Sequence, residues 1–388
     1  MSPSLSELQE LERTHAIGTY VRNPVQFVRG SGCRLWDEDG HEYLDFLAGI
    51  SVLNVGHCHP RIVSAVREQA GLLTHASNLY YTAPAMKLSA RLAQSSLGGK
   101  VFLCNSGAEA NEAAIKLARR ARPGGKLIVV QEAFHGRTYG ALSATPQESK
   151  QAPFAPLVPG FHVVAKDPEG LSAAVDSDTA AVLLEPIQGE TGIHALSDEL
   201  LLAAREACDR TGAALIFDEV QTGMGRTGTL WAYEQTPVVP DAITSAKALG
   251  GGLPIGALIT GEELADVLQA GDHGSTFAGG PLICAAALVA LDVCSDPDLL
   301  ARVVTLGERL RAGLEELPAV ARVRGRGLMV GVDLAEGVSA PLVAQRALTE
   351  QRLVINATGP ATIRFEPPLV VSETEIDDAV ARVGELLL

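Results

Sequence analysis

The chain has 388 residues, enough for two packed domains around a large shared core, which excludes a small disulfide-stapled scaffold. Apolar residues make up 47% and charged residues 20%, with 39 Gly and 21 Pro, the balance of a globular enzyme and not of a disordered or fibrous chain. Lys and Arg number 31 against 46 Asp and Glu, and the resulting net charge of −15 opposes attraction to nucleic acid or an anionic membrane, so neither is expected as a partner.

In chain order, Met1 to Glu12 carries acidic residues and no basic flank before an apolar run, which argues against a secretory signal. Residues 20–50 hold short alternating segments broken by Gly and Asp turns, the pattern of a small antiparallel meander. The middle of the chain repeats short runs rich in Val, Ile and Leu: Val101 to Cys104, Leu127 to Val130, Ala180 to Leu184, Ala213 to Phe217, Ala242 to Ser245 and Ile255 to Thr260. Such runs read as strands buried on both faces. Helical stretches lie between several of them, including Ala108 to Arg122, with Ala110, Ala114, Leu117 and Ala121 on one face, and Ser197 to Thr211, opened by a Ser cap. Strand alternating with helix predicts an α/β fold with a largely parallel sheet.

The apolar stretch Leu282 to Leu291 is far short of the roughly 20 residues that cross a bilayer. From residue 297 onward, two helical stretches flank Val323 to Leu334, followed by a strand-like Thr362 to Phe365 and a terminal helix opened by Ser372, an α+β pattern. The expected layout is an N-terminal segment, 1–50, joining a small domain, a large domain over 51–290 and a C-terminal small domain over 291–388. Cys33, Cys58, Cys104, Cys208, Cys284 and Cys294 lie far apart without CxxC spacing, as expected in a reducing cytoplasm.

Ligands of open α/β sheets bind beyond the carboxyl ends of the strands, so polar residues there are the candidates for chemistry. Ala213 to Phe217 runs into Asp218 and Glu219, and Ala242 to Ser245 runs into Lys247 ahead of three glycines. A lysine at a buried strand end, near a carboxylate, can supply a partly desolvated amine of the kind a Schiff base needs, although a purely structural ion pair fits the spacing equally well. Val101 to Cys104 runs into Asn105, Ser106, Gly107 and Ala108 at the start of a helix. Free N–H groups and a hydroxyl there suit a phosphate, and they equally suit an ordinary Ser cap.

Seven ordered segments decide between these readings: SGAEANEAAIKLAR (106–119), AFHGRT (133–138), EPIQGETG (185–192), LIFDEVQTGMGRTG (215–228), SAKALGGGLPIGA (245–257), HGSTFAGGP (273–281) and IRFEPPL (363–369). From about residue 20 to the end the chain resembles the class III, or ornithine-type, pyridoxal-phosphate aminotransferases, and their acetylornithine branch most. The resemblance implies fold type I of the pyridoxal-phosphate transferases, a large domain with a mostly parallel sheet flanked by helices and a small α+β domain built from both chain ends.

It also implies roles. Lys247 would carry pyridoxal 5′-phosphate as a Schiff base and shuttle the proton, Asp218 would face the pyridine nitrogen, and Gln221 the phenolic oxygen. Phe134 would stack on the ring beside His135, with Val220 a further cofactor contact. The phosphate would sit at Ser106, Gly107 and Ala108, joined by Thr276 from the partner subunit of a homodimer. Arg137 would hold the donor's α-carboxylate and Arg364 that of 2-oxoglutarate, with Glu190 neutralising Arg364 in the donor half-reaction and Ser275 a further substrate contact. Glu185 would support the site structurally.

The donor implied is N2-acetylornithine. Ornithine, succinylornithine, succinyldiaminopimelate, 4-aminobutyrate, a carrier-linked lysine, or an aminomutase reaction are the alternatives. The loop Ser51 to Gly56, whose Asn54 stands one place later than in the family pattern, and Tyr80 or Tyr81 are expected to line the donor pocket. Two other signals fail on context. Gly223 to Gly228 matches GxGxxG but runs into Trp231 and Pro237, not into a helix. His57, Cys58 and His59 are too close in sequence to converge on one metal ion, so no metal is expected.

Overall fold

The computed structural model describes residues 3–387. Its central sheet has seven strands, ordered Gly98–Cys104, Gly256–Gly261, Ala242–Ser245, Ala214–Asp218, Thr179–Leu184, Lys126–Val130 and Phe161–Val164. The last five are mutually parallel, whereas Gly256–Gly261 runs antiparallel to both of its neighbours. The reason is length: only residues 246–255 separate it from Ala242–Ser245, too few for a parallel crossover. That short return carries Lys247 along the carboxyl edge of the parallel strands. Phe161–Val164, unmarked by an apolar run, is the edge strand, half exposed because it has one neighbour.

Alternate strand residues serve opposite faces. Leu127 and Val129 join Leu183, Ile216 and Leu258 under the helix Gly107–Ala121, whose Ala113, Ala114 and Leu117 pack against them. Ile128, Val130, Leu184, Phe217 and Ile243 face the other way, into a cluster with Leu200 and Ala204 of the helix Asp198–Thr211 and Cys284 and Leu291 of the helix Pro281–Cys294. Leu282 to Leu291 thus belongs to a core helix. No helix among the described residues is long and apolar enough to cross a membrane. The predicted caps form: Ser197 Oγ accepts from Leu200 N–H at 3.2 Å and Ser372 Oγ from Glu375 N–H at 3.2 Å.

The chain ends are interwoven. Phe27–Ser31, Arg34–Asp37 and Glu42–Asp45 form the antiparallel meander, and Leu353–Val354 adds a fourth, parallel strand from the far end of the sequence. A second four-stranded sheet pairs Val320–Arg326, Met329–Leu334, Thr362–Phe365 and Asn356–Ala357, all antiparallel. Beyond it the C-terminal segment is tied back, Glu366 N–H to Phe46 O and Leu369 N–H to Asn54 O, each at 2.7 Å.

Candidate active site

A cavity of about 520 Å³ opens at the carboxyl edge of the parallel strands. Three loops build its polar wall. The turn after Gly98–Cys104 brings Ser106, Gly107 and Ala108; the segment after Lys126–Val130 brings Phe134, His135 and Arg137; the end of Ala214–Asp218 brings Asp218, with Val220 and Gln221 just beyond it. Lys247 completes the wall. Its backbone is left-handed, φ 43°, a conformation that strains a residue with a Cβ and recurs at functional positions.

Ser106 Oγ caps the helix Gly107–Ala121, accepting from Glu109 N–H at 3.2 Å. The cap and an anion site coexist here, because an α-helix leaves its first N–H groups without partners and those of Gly107 and Ala108 lie at the cavity. Gly107 must lack a Cβ, since one would stand 2.7 Å from Val220 Cγ1.

Asp218 is buried and held on both oxygens. Oδ2 accepts from Asn111 Nδ2 at 2.7 Å and pairs with His135 Nδ1 at 2.8 Å, while Oδ1 accepts from Val220 N–H at 3.0 Å. Burial alone would lower the pKa of His135; the bond to Asp218 and the charges of Asp218 and Glu185 outweigh it and lift the imidazole above its ordinary value. Glu185 accepts from Phe134 N–H at 2.7 Å and so fixes the ring beside the pocket, in keeping with a supporting role. Its own carboxyl is pushed up to about 7, by burial first. Burial also depresses the Lys247 amine, against the opposing pull of the Glu366, Glu190 and Asp218 carboxylates. A lysine so placed has a larger neutral, nucleophilic fraction than one in water.

Arg364 and Glu190 stand just behind this wall. Arg364 Nη1 lies 3.3 Å from Glu190 Oε1 and donates to Gly189 O at 3.1 Å. Arg137 is exposed at the mouth, its guanidinium 5.7 Å from the Phe134 ring centroid. Ser275 Oγ accepts from Asn105 Nδ2 at 2.8 Å, one bond away from the cavity wall, and Thr276 is exposed on the surface.

The loop Ser51 to Gly56 reaches the pocket through Val52, while Asn54 is buried behind it, donating to Met224 O at 2.8 Å and accepting from Arg226. Tyr80 and Tyr81 stand outside the cavity of their own subunit, 72% and 93% exposed.

Two buried residues went unassigned in the sequence. Asn111 orients Asp218, and its signal is a polar residue interrupting an alanine-rich, sheet-facing stripe. Glu366 accepts from Gln221 Nε2 at 2.9 and 3.2 Å, and its signal is a carboxylate wedged between a buried strand and Pro367–Pro368.

Residues 18–387 match the family model described as Aminotransferase class-III. The chain is a class III aminotransferase. It is 47% identical over 389 residues to the acetylornithine aminotransferase of Caldanaerobacter subterraneus subsp. tengcongensis, covering 97% of this chain and 98% of that protein. The crystal structure of the ornithine aminotransferase from Toxoplasma gondii ME49 superposes with a TM-score of 0.94 at 35% identity, covering 100% of this chain and 95% of that one. The acetylornithine aminotransferase from Elizabethkingia anophelis gives 0.88 at 35% identity, covering 100% and 99%. Class III aminotransferases depend on pyridoxal 5′-phosphate, and the donor set of this aminotransferase suits it. Helix N–H groups can take a phosphate, a buried carboxylate a ring nitrogen and a depressed amine a carbonyl. Two buried polar atoms beside them, His135 Nε2 and Ser245 Oγ, have no protein partner among the described residues.

Proposed function

We propose that this aminotransferase moves the δ-amino group of N2-acetylornithine to 2-oxoglutarate, giving N-acetylglutamate 5-semialdehyde and glutamate, a step of arginine biosynthesis in the cytoplasm. One observation carries the donor: identity of 47% along nearly the whole chain to a protein named for that substrate. Pyridoxal phosphate, when bound, supplies the electron sink that makes the amine-bearing carbon acidic. In this reading the Gly107 and Ala108 amides and the Ser106 turn would bind the phosphate, Asp218 would hold a proton on the ring nitrogen, and His135 and Asn111 keep Asp218 aimed. Phe134 would stack on the ring with Val220 a further contact, Gln221 would hydrogen-bond the phenolic oxygen, and Lys247 Nζ would take and return the substrate proton. Arg137 grips the donor's α-carboxylate and Arg364 that of 2-oxoglutarate, uncovered when Glu190 moves aside; a planar guanidinium suits both.

The same reading makes the enzyme a homodimer in which Thr276 reaches the partner's site. Support comes from an exposed apolar surface around Thr276 that a monomer would leave in water: Leu79, Tyr80, Tyr81 and Phe277 are all more than two-thirds exposed. Asn78 Nδ2 donates to Ala278 O at 2.9 Å and the His75 and Phe277 rings stand 5.3 Å apart, so the two segments form one surface.

Initial rates with a panel of ω-amino donors test the donor. Expected is a kcat/KM for N2-acetylornithine at least roughly tenfold above that for ornithine, about 1.4 kcal/mol of discrimination. Equal values, or a preference for 4-aminobutyrate, would place the enzyme in another branch of the family.

A further inference from the structure

Arg364 faces two carboxylates of different mobility. Glu190 touches it at 3.3 Å from a side chain that is 29% exposed and sits in the turn after the two-residue strand Ile187–Gln188. Glu366 approaches from the other side, its Oε2 3.6 Å from Arg364 Nε, and is completely buried. Glu190 has solvent to move into. Glu366 has none, and it is anchored three ways: its N–H donates to Phe46 O at 2.7 Å, its carboxylate accepts both Gln221 Nε2 contacts, and the carbonyl of Pro367 next to it accepts from the buried Arg226 at 2.6 Å. One acidic partner of Arg364 can leave and the other cannot.

We propose that Glu366 is a specificity-determining residue that permanently offsets part of the Arg364 charge, so that the site holds the α-carboxylate of 2-oxoglutarate and glutamate loosely even after Glu190 has moved aside. This rests on the reading that Arg364 receives that carboxylate. A carboxylate arriving at Arg364 meets a like charge within a few ångströms in a water-poor setting, where repulsion is strong. Affinity for dicarboxylates falls, and the glutamate formed leaves more easily. The neutral amide side of N2-acetylornithine, carrying no charge toward Arg364, is unaffected, so the balance between donor and glutamate shifts toward the donor. A purely structural Glu366, present only as an acceptor for Gln221, would have no such selectivity.

Glutarate, an unreactive dicarboxylate, separates these roles when titrated calorimetrically into cofactor-loaded enzyme. Glu366→Gln keeps an oxygen acceptor for Gln221 and removes the charge; Glu366→Leu removes both, as a second variant should the first fold poorly. Either charge-removing variant is expected to bind glutarate at least about tenfold tighter than wild type. Glu190→Ala should also gain, and the double variant Glu190→Ala/Glu366→Gln should gain more than either. KM for 2-oxoglutarate should fall with the glutarate Kd while KM for N2-acetylornithine stays within about twofold. A glutarate Kd within twofold of wild type, or weaker, in both Glu366 variants overturns the proposal. Arg364→Gln guards the underlying reading. If that variant binds glutarate as wild type does, Arg364 is not the carboxylate clamp and both fall; if it loses glutarate while the Glu366 variants gain nothing, only the role of Glu366 falls.

Discussion

Lys247 and Asp218 sit where two neighbouring parallel strands end, and burial prepares both: the amine is depressed toward neutrality and the carboxylate is enclosed by donors. Lys247→Ala should therefore fold normally, by circular dichroism, and lose turnover. Borohydride reduction followed by peptide mass analysis should place the cofactor on Lys247 in wild type, and a label on Lys116 or Lys166 would refute the assignment. The His135–Asp218 pair makes a pH prediction with a definite sign. Because the imidazole pKa is raised in the folded state above its ordinary 6.5, the charged pair contributes its full stability below pH 6.5 and loses it as pH rises through the folded value. Denaturant unfolding of wild type and His135→Gln should differ by about 3 kcal/mol or more near pH 6, and the gap should narrow toward pH 9. A gap independent of pH would mean that the imidazole is neutral throughout.

The helix Gly107–Ala121 does two jobs at its N-terminus, capping itself through Ser106 and presenting bare N–H groups to the cavity. Its approach to the loop after Ala214–Asp218 is close enough that Val220 tolerates only glycine at 107. Gly107→Ala should push the helix end outward, lower stability by about 1–3 kcal/mol through overpacking, and raise the Kd for pyridoxal phosphate at least about tenfold. Ser106→Ala supplies the contrast, losing a cap worth about 1 kcal/mol while leaving the helix N–H groups in place. Cofactor titration and urea unfolding of both variants check this, and unchanged cofactor affinity in Gly107→Ala would remove the helix end from the phosphate site.

At the scale of the whole molecule, two sheets built from opposite chain ends brace Arg364 and Glu366 against the large sheet, and the exposed surface around Phe277 is the face proposed to meet a second subunit. If Thr276 serves its partner's site, Lys247→Ala and Thr276→Ala subunits should complement each other. Mixed dimers would contain one site with both defects and one with neither. Remixing the two weak variants after mild dissociation should thus regain up to about a quarter of wild-type activity, half the dimers being mixed with one intact site each. Activity no greater than the sum of the separate variants would confine each site to one subunit.

Much of this was legible locally. Apolar runs bounded by Gly, Pro and polar residues announce strands such as Leu127 to Val130, because burial on both faces leaves no place for a polar side chain. Asp218 and Lys247 stand out because a charge ending such a run lies at the sheet's edge. The Ser197 and Ser372 caps follow from a helix's unpaired N–H groups. The tertiary structure alone decided the rest. Arg364 finds Glu190 across 174 residues and Gln221 finds Glu366 across 145. Within the loop Ser51 to Gly56 it is Val52 that lines the pocket while Asn54 turns to Arg226, 172 positions away, and Tyr80 and Tyr81 stand exposed outside the cavity of their own subunit. Local periodicity records whether a side chain turns toward water or core, but the partner of a buried charge is set by which loops the fold closes against one another, and no short-range pattern carries that.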